Sequence, residues 1–349
     1  MIDVSLAIIS QLSVHRVGNK HNGDDIFLSK APIAVDDNAM QEKLLHFFLS
    51  SMPLVEKYSF KTEIEHEQEN PLRQFSKEIF QNRSSFHLTS IQIAKRLFDV
   101  SMHPQIKPGD VFVAHLKNIA FDGENCEAIG IFKSENKQSF FQVLANGDQA
   151  ELYLLDGINL DKLDKGAIIF NQEAGDGYRV CILDRNNKST EAEFWKDLFL
   201  NTTPCNDEYQ QTKQYMSLAK TFVTTQYVED FEVEKPEQIE MLQKSVEYFK
   251  THDNFDKREF EEEVLQYPEV IKSFQNFNHQ FQEDNEIVLE DSFEISTPAV
   301  KKQQSIFKSI IKLDKNFHIY VHGNRELIEK GVEPDGRKFY KIYYKEEEL

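Results

Sequence analysis

Residues 111–183 read VFVAHLKNIAFDGENCEAIGIFKSENKQSFFQVLANGDQAELYLLDGINLDKLDKGAIIFNQEAGDGYRVCIL. Three turn signals punctuate the stretch. Asp122-Gly123 separates residues 111–121 from 126–132, Asn146-Gly147 separates 140–144 from 150–155, and Gly175-Asp176-Gly177 separates 167–170 from 178–183. Asx-Gly pairs supply the positive φ that a tight hairpin requires, and the flanking runs are rich in β-branched and aromatic residues, so each signal predicts an antiparallel pair. Three in succession predict an antiparallel meander as the core of the chain.

The pattern outside this stretch predicts helices. Residues 6–17 and 25–35 read as an opening pair of extended or mixed elements, and an amphipathic helix follows over 38–49. Asn70-Pro71 places an N-cap residue directly before a proline at the first helical position, with Leu72, Phe75, Ile79 and Phe80 at helical spacing. A second helix is expected over 89–100, and a third over 191–200 that packs Phe194, Trp195, Leu198 and Phe199 onto the sheet. After Thr203-Pro204 come helices at about 207–228, 236–250, 257–266 and 268–281. Strands return at 306–313, 317–321 and 338–344, the last behind the turn Asp335-Gly336. The expected class is therefore α+β: an antiparallel sheet core with flanking helices, a helical acidic segment and a small C-terminal β-sheet region. A chain of 349 residues exceeds the usual size of one core, and the expected division is 1–203 against 204–349.

Charge is segregated along the chain. The net charge is −19, yet residues 229–294 alone hold 20 acidic and 6 basic side chains, whereas 295–349 hold 11 basic and 8 acidic. A chain of this sign has no uniform grip on a polyanion; only its C-terminal region could supply one. There Lys308, Lys312, Lys315, Arg337, Lys338 and Lys341 are interleaved with Tyr340 and Tyr344, a mixture that contacts phosphates by charge and stacks bases on aromatic rings. Strand alternation divides 338–345 into a face with Phe339, Lys341, Tyr343 and Lys345 and a face with Lys338, Tyr340, Ile342 and Tyr344. In the acidic segment Glu259, Glu261, Glu262 and Glu263 form the densest run, a solvated helical face or a surface on which a basic partner docks.

Motifs of catalysis and cofactor binding do not occur. There is no Walker loop, Gly-x-Gly-x-x-Gly, Gly-x-Ser-x-Gly or His-Glu-x-x-His, so neither a cofactor nor a catalytic centre is expected. Of the 11 histidines, His318 and His322 lie close in sequence, but four strand residues span about 13 Å, too far for one metal. Asp110 with Glu135-Asn136-Lys137 has the acids and lysine of a Mg²⁺-dependent nuclease, in which carboxylates hold the metal and the lysine supports the attacking water; a surface ion pair explains the same residues. Cys126, Cys181 and Cys205 are too few and too widely spaced for a disulfide framework, which fits a reducing cytoplasm. The start lacks a basic n-region and a cleavage site, and no apolar run approaches the about 20 residues of a membrane span.

Several blocks together carry a resemblance: Phe47-Phe48-Leu49-Ser50, Ile93-Ala94-Lys95, His103-Pro104-Gln105-Ile106-Lys107, residues 130–135 and 163–171, residues 191–200, Thr212, residues 312–323 and Phe339-Tyr340-Lys341. In this order and spacing they resemble the 37-kDa nucleoid-associated protein family of bacteria, in its Bacteroidota-like form, over nearly the whole chain. The resemblance implies a cytoplasmic protein of the nucleoid that associates with DNA, or with proteins bound to DNA, and has no established catalytic residues. Ala167 stands where the family pattern suggests a cysteine, so no reactive thiol is expected there. Two other readings stay open: the nuclease built on Asp110, Glu135 and Lys137, and an acidic adaptor that docks on DNA-bound proteins without touching DNA.

Overall fold

A computed structural model describes the chain apart from residues 62–68, 186–193, 234, 308, 314–315, 322–326 and 347–349, and apart from the side chains of 305–306, 309–312 and 320–321. The fold is α+β with a mostly antiparallel sheet. The chain divides into two compact units, Met1–Cys205 and Asn206–Leu349.

The first unit is built on a nine-stranded sheet. Its strands are β1 (Ile2–Asp3), β2 (Ile8–Val17), β3 (Ile26–Leu28), β4 (Tyr58–Phe60), β5 (Gly109–Phe121), β6 (Glu124–Ser134), β9 (Lys165–Phe170), β10 (Arg179–Asp184) and β11 (Thr202–Pro204), while β7 (Lys137–Asn146) and β8 (Gln149–Ile158) pair only with each other. The order is β11-β4-β10-β9-β6-β5-β2-β3, with β1 alongside β5. Two of the three turn signals therefore join neighbours in the sheet, as the meander reading requires. The Asn146-Gly147 hairpin does not: β7 and β8 leave the sheet as a separate ribbon, and β9 takes the place beside β6. A turn dipeptide fixes how two strands reverse, not which sheet they join.

Helices cover both faces of this sheet, which is why its strands read as continuous apolar runs. Val111, Val113, Ile129, Ile131, Ala167, Ile169 and Val180 face α2 (Pro71–Gln81), α3 (Phe86–Val100) and Trp195. Phe112, Ala114, Leu116, Phe132, Ile168, Phe170 and Cys181 face Phe47, Phe48 and Leu49 of α1 (Asn38–Leu49). Asn70 caps α2 as its sequence predicts, its side chain accepting from the N–H groups of Leu72 and Arg73. Residues 194–200 form a π-helix, not the α-helix expected, so the inward set advances by five residues: Phe194, Trp195, Phe199 and Leu200 are buried and Leu198 is 55% exposed. Trp195 Nε1 donates to the Gly166 carbonyl at 3.2 Å, which ties this turn to β9.

Gly130 shows how closely the sheet is packed. The Phe132 ring folds back over it and stacks on Phe48, with centroids 4.2 Å apart and planes 5° apart. A Cβ at position 130 would stand 2.3 Å from Phe132 Cε2. Gly130→Ala is expected to destabilise the unit by about 1–3 kcal/mol by displacing that ring, an effect that urea unfolding measures; unchanged stability would mean the ring has room to move.

The second unit packs the helices Glu208–Thr224, Lys235–Thr251 and Pro268–Asn285 around an aromatic core that contains Tyr215, Phe222, Phe249, Phe255, Phe260, Phe274 and Phe293. Phe255 and Phe293 are cross-strand partners in a small pair, β12 (Asn254–Asp256) and β13 (Ser292–Glu294), and their rings stack 4.9 Å apart. The helix expected over 207–228 breaks at Thr225 and resumes over Gln226–Phe231. Thr221, Thr224 and Thr225 turn their hydroxyls back onto the carbonyls four residues earlier, which loosens the helical ladder there. Two hairpins end the chain: β14 (Ser309–Leu313) with β15 (Phe317–Val321), and β16 (Ile328–Val332) with β17 (Lys338–Ile342).

Candidate nucleic-acid interface

The sequence assigns its cationic and aromatic contacts to these two hairpins. Lys312 lies on β14 opposite His318. Lys308, Lys315 and His322 fall outside the described residues. Arg337, Lys338, Tyr340, Lys341 and Tyr344 are brought together at the second hairpin, on or beside β17, all exposed except the half-buried Tyr340. The strand that pairs with them, β16, escapes sequence reading because Glu-Lys-Gly at its centre lacks strand character. Gly331 leaves room for its cross-strand partner: the Phe339 ring lies across it, 2.3 Å from where a Cβ would be.

Two of these cations carry a carboxylate. Arg337 Nε donates to Asp335 Oδ2 at 2.7 Å, and Lys341 Nζ lies 3.7 Å from Glu329 Oε2. Lys341 also sits 4.8 Å from the centre of the Tyr343 ring. The Tyr343 hydroxyl, with Glu329 behind it, holds the Lys341 ammonium above its usual pKa range. Both carboxylates are more than half exposed, and exposed ion pairs of this kind contribute about 0–1 kcal/mol.

The acidic run is not the uniform face that its composition suggests. Helix Lys257–Phe260 passes into a π-turn over Glu261–Leu265, which rotates Glu261 into the unit. Glu261 is 6% exposed and accepts from Gln275 Nε2 at 2.9 Å; burial raises the pKa of its carboxyl. Its inward position follows from the i→i+5 bond between the Gln266 N–H and the Glu261 carbonyl. Glu259, Glu262 and Glu263 remain exposed. Glu259 accepts from the Tyr248 hydroxyl at 2.9 Å, and Glu263 lies 3.7 Å from His252 Nε2. Among the described residues His252, Glu259 and Glu263 form a cluster whose ligand-type atoms lie within 4.8 Å of one another. Spacing rules miss it because His252 ends one helix and the two acids start the next.

Asp110, Glu135 and Lys137 do not converge on one site. Lys137 Nζ lies 3.3 Å from Asp110 Oδ2 on the surface. Glu135 pairs instead with Lys133 at 2.9 Å, and these two side chains are only 2% and 1% exposed. Strand alternation puts Asp110 on the face of Phe112 and Ala114, whereas Lys133 shares the face of Ile129 and Ile131. The two carboxylates are thus presented to opposite faces of the sheet, an arrangement unsuited to holding one metal between them.

The charge cluster at this end of the sheet is structural in character. Lys133 Nζ donates to the Lys107 carbonyl at 2.6 Å as well as to Glu135, and burial holds its ammonium below the usual lysine range. Lys165 Nζ donates to Asp184 Oδ1 at 2.7 Å across β9 and β10. Asp164 accepts from the Glu135 and Asn136 N–H groups at 2.7 and 3.1 Å and from Asn136 Nδ2 at 2.6 Å, which closes the turn out of β6. Sequence reading misses Lys133 and Lys165 as buried residues, since only the tertiary fold brings their partners to them.

Comparison with known proteins gives one family: the model for nucleoid-associated protein YejK matches residues 13–337. No curated protein matches the chain.

Proposed function

The chain belongs to the nucleoid-associated protein YejK family, and from that premise we propose that it acts in the nucleoid without catalysis, holding DNA weakly through Arg337, Lys338, Lys341 and the neighbouring tyrosines. The observation that carries this reading is the segregation of charge: 11 basic against 8 acidic side chains over residues 295–349, in a chain whose net charge is −19. Repulsion from the acidic segment sets the orientation of approach, so only the cationic hairpin meets the phosphates. Tyr344, 71% exposed, offers a stacking surface at the same end. Lys308, Lys312 and Lys315 belong to the same proposed contact set. DNA-bound proteins are the alternative target of this surface.

The test uses the full chain. A truncation near residue 295 would remove Ala299, Val300 and Phe307, which are buried, and would confound loss of contact with loss of fold. Arg337→Glu, Lys338→Glu and Lys341→Glu together change exposed residues only. DNA retention by the parent chain is expected to fall steeply with salt, and the triple variant is expected to lower the log–log salt slope by about 2–3, given about 0.9 per phosphate contact. Equal retention and equal slope for both proteins would remove these residues from the interface. Cleaved DNA in the presence of Mg²⁺ would overturn the non-catalytic reading.

A further inference from the structure

The ribbon of β7 and β8 is the least explained part of the molecule. Its strands pair from Lys137↔Ile158 to Asn146↔Gln149, every residue of β7 is exposed, and it belongs to no larger sheet. A lone two-stranded ribbon is marginally stable in water. One of its faces carries Phe141, Val143, Leu152 and Leu154, exposed by 69%, 66%, 64% and 66%, followed by Ala145 and Ala150 toward the tip. A contiguous apolar surface of this sort marks an interaction site, and two open strand edges beside it invite strand pairing.

We propose that a second copy of this chain covers the ribbon, face against face and antiparallel about a two-fold axis. The taper of the apolar face argues for that occupant. From base to tip the cross-strand pairs run Phe141–Leu154, Val143–Leu152 and Ala145–Ala150, that is, large, medium and small. Two copies laid antiparallel set large against small at each end and medium against medium at the axis, so the combined thickness stays even and the interface packs without voids. Size sets the strength: with the axis at Val143–Leu152, residues 140–146 and 149–155 of the two copies overlap, about 23 Å long and about 10 Å wide, or about 230 Å² of face per copy, which is the size of a weak, concentration-dependent contact. A nucleic acid is the wrong occupant, because Asp148, Glu151 and Asp156 outnumber Lys137 along the ribbon.

Sedimentation or light scattering of the full chain across a dilution series tests the proposal. The parent chain is expected to dimerise. Val143→Lys places like charges at the two-fold axis and is expected to weaken the dimer at least about 100-fold, with a far-UV circular dichroism spectrum like the parent's because Val143 is exposed in the single chain. Val143→Glu alone behaves in the same way, and an equimolar mixture of the two variants is expected to recover a heterodimer, which misfolded variants would not do. A parent chain that stays monomeric at every concentration, or a Val143→Lys variant that dimerises like the parent, overturns the proposal. Neither result bears on the DNA reading.

Discussion

Glu135→Ala is expected to destabilise the first unit by about 3–5 kcal/mol, the usual consequence of stripping one partner from a buried ion pair. The carboxylate it removes is the one that neutralises Lys133, whose side chain is 1% exposed. The Lys107 carbonyl would remain as an acceptor, but a dipole does not replace a charge in a dry site, and the ammonium would have to lose its proton or draw in water. The double variant Lys133→Met with Glu135→Leu separates the two contributions. It removes both charges, keeps comparable apolar volume and is expected to recover most of the loss. Urea unfolding of the two proteins beside the parent decides the matter: if the single variant is as stable as the parent, the pair is not buried in solution. The result also governs how any loss of activity in Glu135→Ala is read, because a drop of this size removes folded protein whether or not Glu135 ever touches a substrate.

The features legible in the sequence are those that local chemistry fixes. Asn70-Pro71 starts a helix by itself, and Asp122-Gly123 reverses a strand by itself, so both stand where their sequence puts them. Membership of a sheet is not local, and Asn146-Gly147 shows it: the same kind of turn joins two strands that leave the sheet altogether. Three-residue strands such as β4 and β11 are too short to show alternation, and their pairing with β10 and with each other comes from tertiary closure. The π-turns at 194–200 and 261–265 escape a reading that assumes 3.6 residues per turn, which misplaces Leu198 and Glu261. At the candidate interface the cations of β17 were legible as types, while their carboxylate neighbours Asp335 and Glu329 become partners only through turn geometry and strand register.

Acid is expected to weaken the first unit through His15 before its carboxylates titrate in bulk. His15 is 1% exposed between β2 and α3, and its tautomer is set by its neighbours: the Ser29 N–H donates to Nδ1 at 3.3 Å, so Nε2 carries the proton and donates to Ser90 Oγ at 3.0 Å. Ser90 Oγ in turn donates to the His87 carbonyl at 2.7 Å. A second proton on the ring would turn an N–H against the Ser29 N–H with no acceptor in reach. Burial, with the His87 ring 6.1 Å away, lowers the pKa from 6.5 to about 4. The unfolded chain then binds the proton more readily than the folded one, so the contribution is intact above about pH 6.5 and is lost progressively as pH falls toward about 4. The full difference corresponds to about 3 kcal/mol. His115, also lowered chiefly by burial, adds a change of the same sign. His15→Gln keeps an N–H for Ser90 and cannot be protonated, so its stability is expected to vary less between neutral pH and about pH 4.5 than that of the parent. Equal slopes for the two proteins in urea unfolding across that range would show that the His15 ring takes up its proton without penalty.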